Sequence, residues 1–240
     1  MPASTPKPTP ASASTSAPAT PTTPASAPTP APTALTPATP TSAPAPAPAR
    51  ATLAPAPINP RDLAVTRAAL ADIPQVMGFY DDVIAAVSGT DNDPLWERGI
   101  HPSEDELACA VREGGLLIGW LSLPEGGRVL ASAIIVNEEV AEGYDKVPWR
   151  VAAQPHEVAV VHLFAVHPSL QGRRIAHAMI DRVREIAREQ GKRVIRLDTL
   201  GTNEGAQRLY ERYGFDNRGH ARLAYADPRV TDFVLYELEL

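Results

Sequence analysis

The nine residues Val158–Val166 are apolar but for His162, and they lead through Pro168 and a polar loop into a long helix-period stripe. An apolar run of that length reads as a strand buried on both faces, the centre of a sheet covered by helices on each side. The stripe consists of Ile175, Ala178, Met179, Val183, Ile186 and Ala187, and it predicts a helix over residues 175–190 with Gly191 as its stop. Between strand and helix lies Leu170-Gln171-Gly172-Arg173-Arg174-Ile175-Ala176. A helix entered from such a loop presents unpaired amide N–H groups and the positive end of its dipole. Both favour an anion there, such as a phosphate group.

The flanking sequence supplies the rest of an α/β layer. Residues 63–67 read as a first strand, and 71–87 as a helix whose apolar face is Ile73, Val76, Met77, Tyr80, Val83, Ile84 and Val87. Ser103 and Glu106 are spaced as a capping box that starts a second helix, ended by Gly114-Gly115. Residues 116–123 and 128–136 flank Pro124-Glu125-Gly126-Gly127, a hairpin signal. A strand over 194–198, a short helix over 206–212 and a closing strand pair over 221–225 and 232–238 complete the order β-α-α-β-β-β-α-β-α-β-β. That order is a mixed sheet flanked by helices. Neither a G-x-G-x-x-G nor a Walker-type G-x-x-x-x-G-K occurs, so Rossmann and P-loop nucleotide readings lose their main support.

The N-terminal quarter is a different material. Residues 1–60 hold 18 of the 26 prolines, most of the remainder is Ala, Thr and Ser, and only Lys7 and Arg50 are charged. Too few large apolar side chains are present to offset the entropy of ordering. Residues 1–58 are therefore expected to form a disordered, polyproline-leaning tail without a catalytic role, and 59–240 a single domain. No apolar core of secretory type occurs among the prolines. All 28 acidic residues and 20 of the 22 basic ones lie beyond residue 60, a net charge of about −8 that argues against a nucleic-acid partner. The lone Cys109, inside an apolar helix pattern, excludes an internal disulfide and fits a reducing cytoplasm. No stretch approaches the roughly 20 apolar residues that span a bilayer.

About thirty residues beyond the glycine loop stands Asn203-Glu204-Gly205-Ala206-Gln207-Arg208-Leu209-Tyr210-Glu211-Arg212-Tyr213-Gly214-Phe215. The two segments, in this order, resemble the acetyl-CoA signature of the GNAT superfamily of N-acetyltransferases, and the resemblance is strongest over 161–215. It implies the GNAT fold, acetyl-CoA as cosubstrate, no metal, a small-molecule or peptide amine as acceptor, no membrane partner, and a homodimer as an admissible assembly. In the family, Gln/Arg-x-x-Gly-x-Gly/Ala holds the CoA pyrophosphate on backbone amides. Gln171 and Ala176 fill the outer places, with Gly172, Arg173 and Ile175 between them. Arg174 stands where glycine is usual, and is expected to keep an ordinary negative φ, its guanidinium either reaching a phosphate or pointing to water.

The same resemblance places the main chain of Phe164, Ala165 and Val166 along the pantetheine arm, on a strand that diverges from its neighbour. Asn203 either caps the next helix or bonds that arm, roles that coexist, with Ala206 beside it. Tyr210 either packs next to Leu209 or, as the family's Leu-Tyr pair implies, serves as general acid at the thioester sulfur. With an ordinary pKa near 10 it would give the pH–rate profile an alkaline limb. Tyr213-Gly214-Phe215 reads as structural.

Acetyl transfer also needs a base, because an amine with a pKa of about 10.4 is neutral in only of order one molecule in a thousand at pH 7. His162 on the apolar strand and Glu157 just upstream are the candidates, the former being equally a core histidine satisfied by a neighbour. On the acceptor side, Tyr80 and Trp96 are expected to meet the amine, although Trp96 equally packs the underside of its loop. Residues 92–103 resemble a segment of uncharacterised bacterial GNAT proteins, with Ile100 in place of an aromatic. Asp81, Asp82, Asp91 and Asp93 either attract an ammonium group or are simply solvated. Two rival readings stand beside the enzyme: a non-catalytic acyl-CoA-binding sensor with the same fold, and a module whose tail recruits polyproline readers.

Overall fold

A computed structural model of the protein describes residues 59–123, 126–224 and 232–240. The proposed tail, Pro124-Glu125 of the hairpin and Tyr225 of the closing pair lie outside the described residues. Elsewhere the element order is the expected one: β1 (Ala64–Arg67), α1 (Ile73–Val87), α2 (Glu104–Arg112), β2 (Leu116–Ser122), β3 (Arg128–Asn137), β4 (Val158–Val166), α3 (Ile175–Glu189), β5 (Val194–Leu200), α4 (Glu204–Tyr213), β6 (Asp216–Arg222) and β7 (Asp232–Glu239). They build a seven-stranded mixed sheet in the order β1-β2-β3-β4-β5-β7-β6, so the apolar β4 is indeed central.

Helices cover both faces, as a strand apolar on both sides requires. Val76, Phe79, Tyr80 and Val83 of α1 and Leu107 and Ala110 of α2 close one core against Ile118, Ala133 and Leu163. Met179, Ile180, Val183 and Ala187 of α3 and Tyr210 of α4 close the other against Ala159, Val161, Leu197 and Val234. The capping box forms as its spacing predicts: Ser103 Oγ accepts from Glu106 N at 3.2 Å and Glu106 Oε2 from Ser103 N at 3.3 Å.

Three expectations are corrected. The penultimate strand starts at Asp216, not 221; as an edge strand carrying Asp216, Asn217, His220 and Arg222 it has no apolar alternation to read. Cys109 is exposed on α2, its thiol 3.5 Å from Glu113, and is not part of the apolar face. The connection over 138–157, silent in the sequence, contributes Tyr144, Val147 and Val151 to a third core.

Buried charge binds that connection to the sheet. Glu237 of β7 is fully buried; its carboxylate accepts from the amides of Arg150 and Val151 and faces the guanidinium groups of Arg218 at 3.4 Å and Arg196 at 3.7 Å. Arg196 donates to Val151 O at 2.7 Å and lies over the Trp149 ring at 4.2 Å.

Two irregularities of β4 position the site. It pairs in parallel with β5 only from Val158↔Val194 to Val161↔Leu197, although both strands continue, so the sheet is open beyond Val161 and Leu197. Toward β3 the register slips: Ala165 faces Ala133, whereas His162 faces Ile135, so β4 carries one extra residue there. Leu163 takes it up at φ +51°, and its displaced carbonyl accepts the buried hydroxyl of Tyr80 at 2.7 Å.

Candidate active site

The loop at the open end of β4 is built on two left-handed residues, Gly172 at φ +75° and Arg174 at φ +61°. The expected negative φ of Arg174 is thus overturned. As the N-cap of α3 it occupies the conformation that glycine takes freely and a side chain takes at a cost of roughly 1–2 kcal/mol. Its side chain caps nothing. The first amides of α3, from Ile175, Ala176 and His177, therefore face outward from the helix start without a side-chain acceptor among the described residues, beside the exposed Gln171 and Gly172 and the half-buried Arg173. Arg174→Gly should relieve the strain and stabilise the fold by about 1 kcal/mol, read as a rise in melting temperature. An unchanged or lower melting temperature would mean that the guanidinium does more for the fold than the backbone loses.

Along β4, Phe164 and Val166 are half-buried, while Ala165 is buried with its carbonyl accepting from Ser132 Oγ at 2.7 Å. Across the opening, Asn203 caps α4, its Oδ1 accepting from Ala206 N at 3.1 Å. The next orphan amide of the same helix, Gly205 N, donates to Asn92 Oδ1 of the α1–α2 loop at 3.0 Å. Asn203→Ala should cost about 1 kcal/mol of stability as a lost cap, measurable by urea unfolding.

Tyr210 is 6 % exposed, its ring against Phe215 and Tyr236 at 5.6 Å each. Burial raises its pKa well above the ordinary phenol value, with Asp198 of β5 and Tyr236 adding to the rise. Asp198 directly follows the last β5 residue that pairs with β4, a placement that its reading as a strand end did not reveal.

His162 is half-buried, its Nε2 2.9 Å from Asn137 Oδ1. Burial lowers its pKa; the Glu139 main chain and Glu106 raise it, and His101 lowers it. Glu106 in turn is bound by His101 Nδ1 at 3.1 Å. Burial raises the Glu106 pKa, but the His101 hydrogen bond and charge, the Ser103 amide and His162 together hold it below the usual carboxylate value. Asn137, Glu106 and His101 were not legible as partners of His162, because they come from β3, α2 and the loop before α2. Glu157 is not brought to this group. It precedes β4, caps Gln154 N at 2.8 Å and lies 3.5 Å from Arg193, contacts that hold its carboxyl below the usual range.

An open parallel pair, an uncapped helix start at its mouth and a buried phenol across from it form one arrangement. The sequence profile of the acetyltransferase (GNAT) family matches residues 78–215, the stretch that contains all three. The chain belongs to this family. An uncharacterised N-acetyltransferase of Methanocaldococcus jannaschii is 34 % identical over 70 residues, which is 29 % of this chain and 31 % of that protein. Among solved structures, a GNAT-family acetyltransferase of Streptococcus agalactiae superposes with a TM-score of 0.60 at 16 % identity, over 74 % of this chain and 95 % of that one. One from Listeria monocytogenes gives 0.54 at 21 %, over 74 % and 95 %. The Salmonella typhimurium protein yncA, solved with its cofactor acetyl-CoA, gives 0.50 at 18 %, over 74 % and 94 %. At these identities the likeness is one of fold.

In this GNAT chain the acceptor-side residues divide. Tyr80 is 1 % exposed, so its side chain has no surface to offer a substrate; it supports the β4 bulge instead, a correction to its expected role. Trp96 packs edge-on to Tyr80 at 5.5 Å and stays half-buried. His167 accepts from Ser169 N and serves its own turn. A cavity of about 540 Å³ lies elsewhere, at the opposite end of β4 between Arg67, Asn137, His156 and Lys192. Lys192 closes on Glu138 and the His156 carbonyl there, and Asn137, the partner of His162, lines the same cavity. Among the described residues no group of His, Cys, Asp and Glu is spaced to hold a metal, and no helix is long and apolar enough to cross a membrane.

Proposed function

We propose that the protein transfers an acetyl group from acetyl-CoA to a primary amine by direct attack, within a catalytic domain spanning residues 59–240 and with residues 1–58 outside the chemistry. The observation that carries this reading is the coincidence, at one end of β4, of the open strand pair with the uncapped start of α3. The outward amides of Ile175 and Ala176, the Gly172 turn and the cations of Arg173 and Arg174 suit a pyrophosphate. The Phe164 and Val166 main chain, with Asn203, suits the amides of pantetheine. The fold likeness to yncA, itself solved with acetyl-CoA, supports the same cofactor.

In the reaction, the amine nitrogen attacks the thioester carbonyl carbon, and the C–S bond breaks as the carbonyl re-forms. His162 takes the proton lost by the amine, and Tyr210 delivers one to the departing thiolate. Burial suits both groups: it keeps the imidazole neutral at pH 7 and keeps the phenol protonated far into the alkaline range. Glu157, spent on Gln154 and Arg193, has no part in this scheme.

Tyr210→Phe keeps the ring and its packing and removes only the hydroxyl that donates the proton. It should leave folding and acetyl-CoA affinity intact and lower kcat roughly ten- to a few hundred-fold, since a thiolate is already a fair leaving group. The alkaline limb expected of an ordinary phenol should be absent in wild type. A single-turnover rate equal to wild type would leave Tyr210 as a packing residue.

The acid side carries a signed prediction. The folded pKa of His162 lies below the unfolded value of about 6.5, so the unfolded chain binds the proton more readily. The His162 contribution to stability is complete above pH 6.5 and is lost as the pH falls toward the folded pKa. Melting temperatures of wild type and His162→Gln should therefore diverge in slope below pH 6.5; parallel slopes would remove His162 as the titrating group. The reaction itself is tested by screening primary amines against the full chain with detection of released CoA thiol. Turnover on at least one amine class is expected. Acetyl-CoA binding with no turnover on any amine would instead support the sensor reading, which the deep burial of Tyr210 also accommodates.

A further inference from the structure

We propose that Asn137 is a positioning residue that holds His162 in a single tautomer, with hydrogen on Nε2 and the lone pair on Nδ1. The side-chain amide of Asn137 faces two groups with the same atom. Asn137 Oδ1 is 3.0 Å from Glu139 N and 2.9 Å from His162 Nε2. A main-chain N–H only donates, so the side-chain atom facing Glu139 must be the oxygen and not the NH₂ group. That oxygen also only accepts, so the imidazole nitrogen facing it must carry a hydrogen. A neutral ring then has its one basic position at Nδ1.

The assignment needs no observed hydrogen, because the backbone amide of Glu139 fixes the orientation of the Asn137 side chain from outside the pair. Its position follows from the fold. Asn137 is the last residue of β3, at the point where the chain leaves the sheet, and its neighbour on β4 is Val160, two residues before His162. The β4 bulge that follows places Leu163 in the α1–α2 core, with His162 facing α2 beside it. The charged and titratable groups acting on His162 are Glu106 of α2, which favours the cation, and His101 of the preceding loop, which disfavours it. Neither is bonded to Nε2. Asn137 Oδ1 is the acceptor facing Nε2, so it holds a hydrogen there and leaves Nδ1 to take a proton.

The inference rests on reading His162 as the base, but its test needs no turnover. The full chain with ¹⁵N-labelled histidine is followed by long-range ¹H–¹⁵N correlation of the imidazole nitrogens across a pH titration. Wild type should show His162 as one Nε2–H tautomer. Asn137→Ala should show averaging between the two tautomers. Asn137→Asp keeps an oxygen for both donors, so it should restore the single tautomer, while its charge raises the His162 midpoint by about one pH unit or more. A purely structural role would move neither the tautomer nor the midpoint. A single Nε2–H tautomer in Asn137→Ala, or an unshifted midpoint in Asn137→Asp, would overturn the proposal. Wild-type turnover by His162→Gln would overturn the base reading instead and leave the tautomer assignment standing.

Discussion

Gly172→Pro should weaken acetyl-CoA binding by at least about a hundredfold while leaving the fold in place. Proline fixes φ near −65°, against the +75° this position adopts, and removes one of the amide donors in the loop. Charge-assisted hydrogen bonds of this kind contribute about 1.5–3 kcal/mol, and about 1.4 kcal/mol is tenfold in affinity, so the loss of a donor together with a misdirected turn reaches the stated size. Folding should survive because Gly172 is exposed and a Cβ built there meets nothing within 4 Å. Gly172→Ala is the control: it strains φ but keeps the amide, and should cost no more than about tenfold. Arg173→Glu with Arg174→Glu attacks the same site by charge and should also abolish binding, in a salt-dependent way. Normal titration calorimetry of acetyl-CoA into the folded Gly172→Pro and double-Glu proteins would show that the loop does not hold the cofactor.

Glu237→Ala should destabilise the protein by about 3–5 kcal/mol, because it leaves a buried guanidinium and two amides without their acceptor. Arg196 retains only its bond to Val151 O and its stack on Trp149, and the 144–151 connection loses its anchor on β7. For a domain of this size the loss corresponds to a fall in melting temperature of roughly 6–20 °C. Glu157→Gln, which removes an acid whose partner Arg193 faces solvent, should leave the unfolding midpoint close to that of wild type. Urea unfolding of the two variants separates them. Equal midpoints would mean that the buried cluster contributes nothing beyond its packing volume.

Legibility in the sequence followed periodicity. β4, α1 and α3 could be read because burial on one or both faces repeats at the period of the element, and the Ser103–Glu106 capping box because its donors and acceptors are local. β6 could not, because an exposed edge strand has no buried face to mark it. Nor could the 138–157 connection, whose core residues are held by Glu237, about ninety residues away in the chain.

The site divides the same way. Gln171, Gly172, Asn203 and Tyr210 lie in two contiguous motifs, so their candidacy is legible in the sequence. The left-handed backbone of Arg174 is not legible, because residue identity sets only a preference for φ and the N-cap geometry of α3 overrides it. Tyr80 reads both as part of the apolar stripe of α1 and as an acceptor contact, and only the displaced carbonyl of Leu163 shows that it is held in the core. The partners of His162 were invisible because Asn137, Glu106 and His101 converge from three elements.

The central claim is that the loop and helix start at the open end of β4 form an acyl-CoA site. Titration calorimetry of the full chain with acetyl-CoA tests it most directly, paired with melting curves in acetyl-CoA and in desulfo-CoA. The account predicts one site with a dissociation constant in the micromolar range and a melting temperature that rises with either ligand, because the pyrophosphate contacts do not involve sulfur. No heat of binding and no shift of the melting curve at millimolar acetyl-CoA would contradict it.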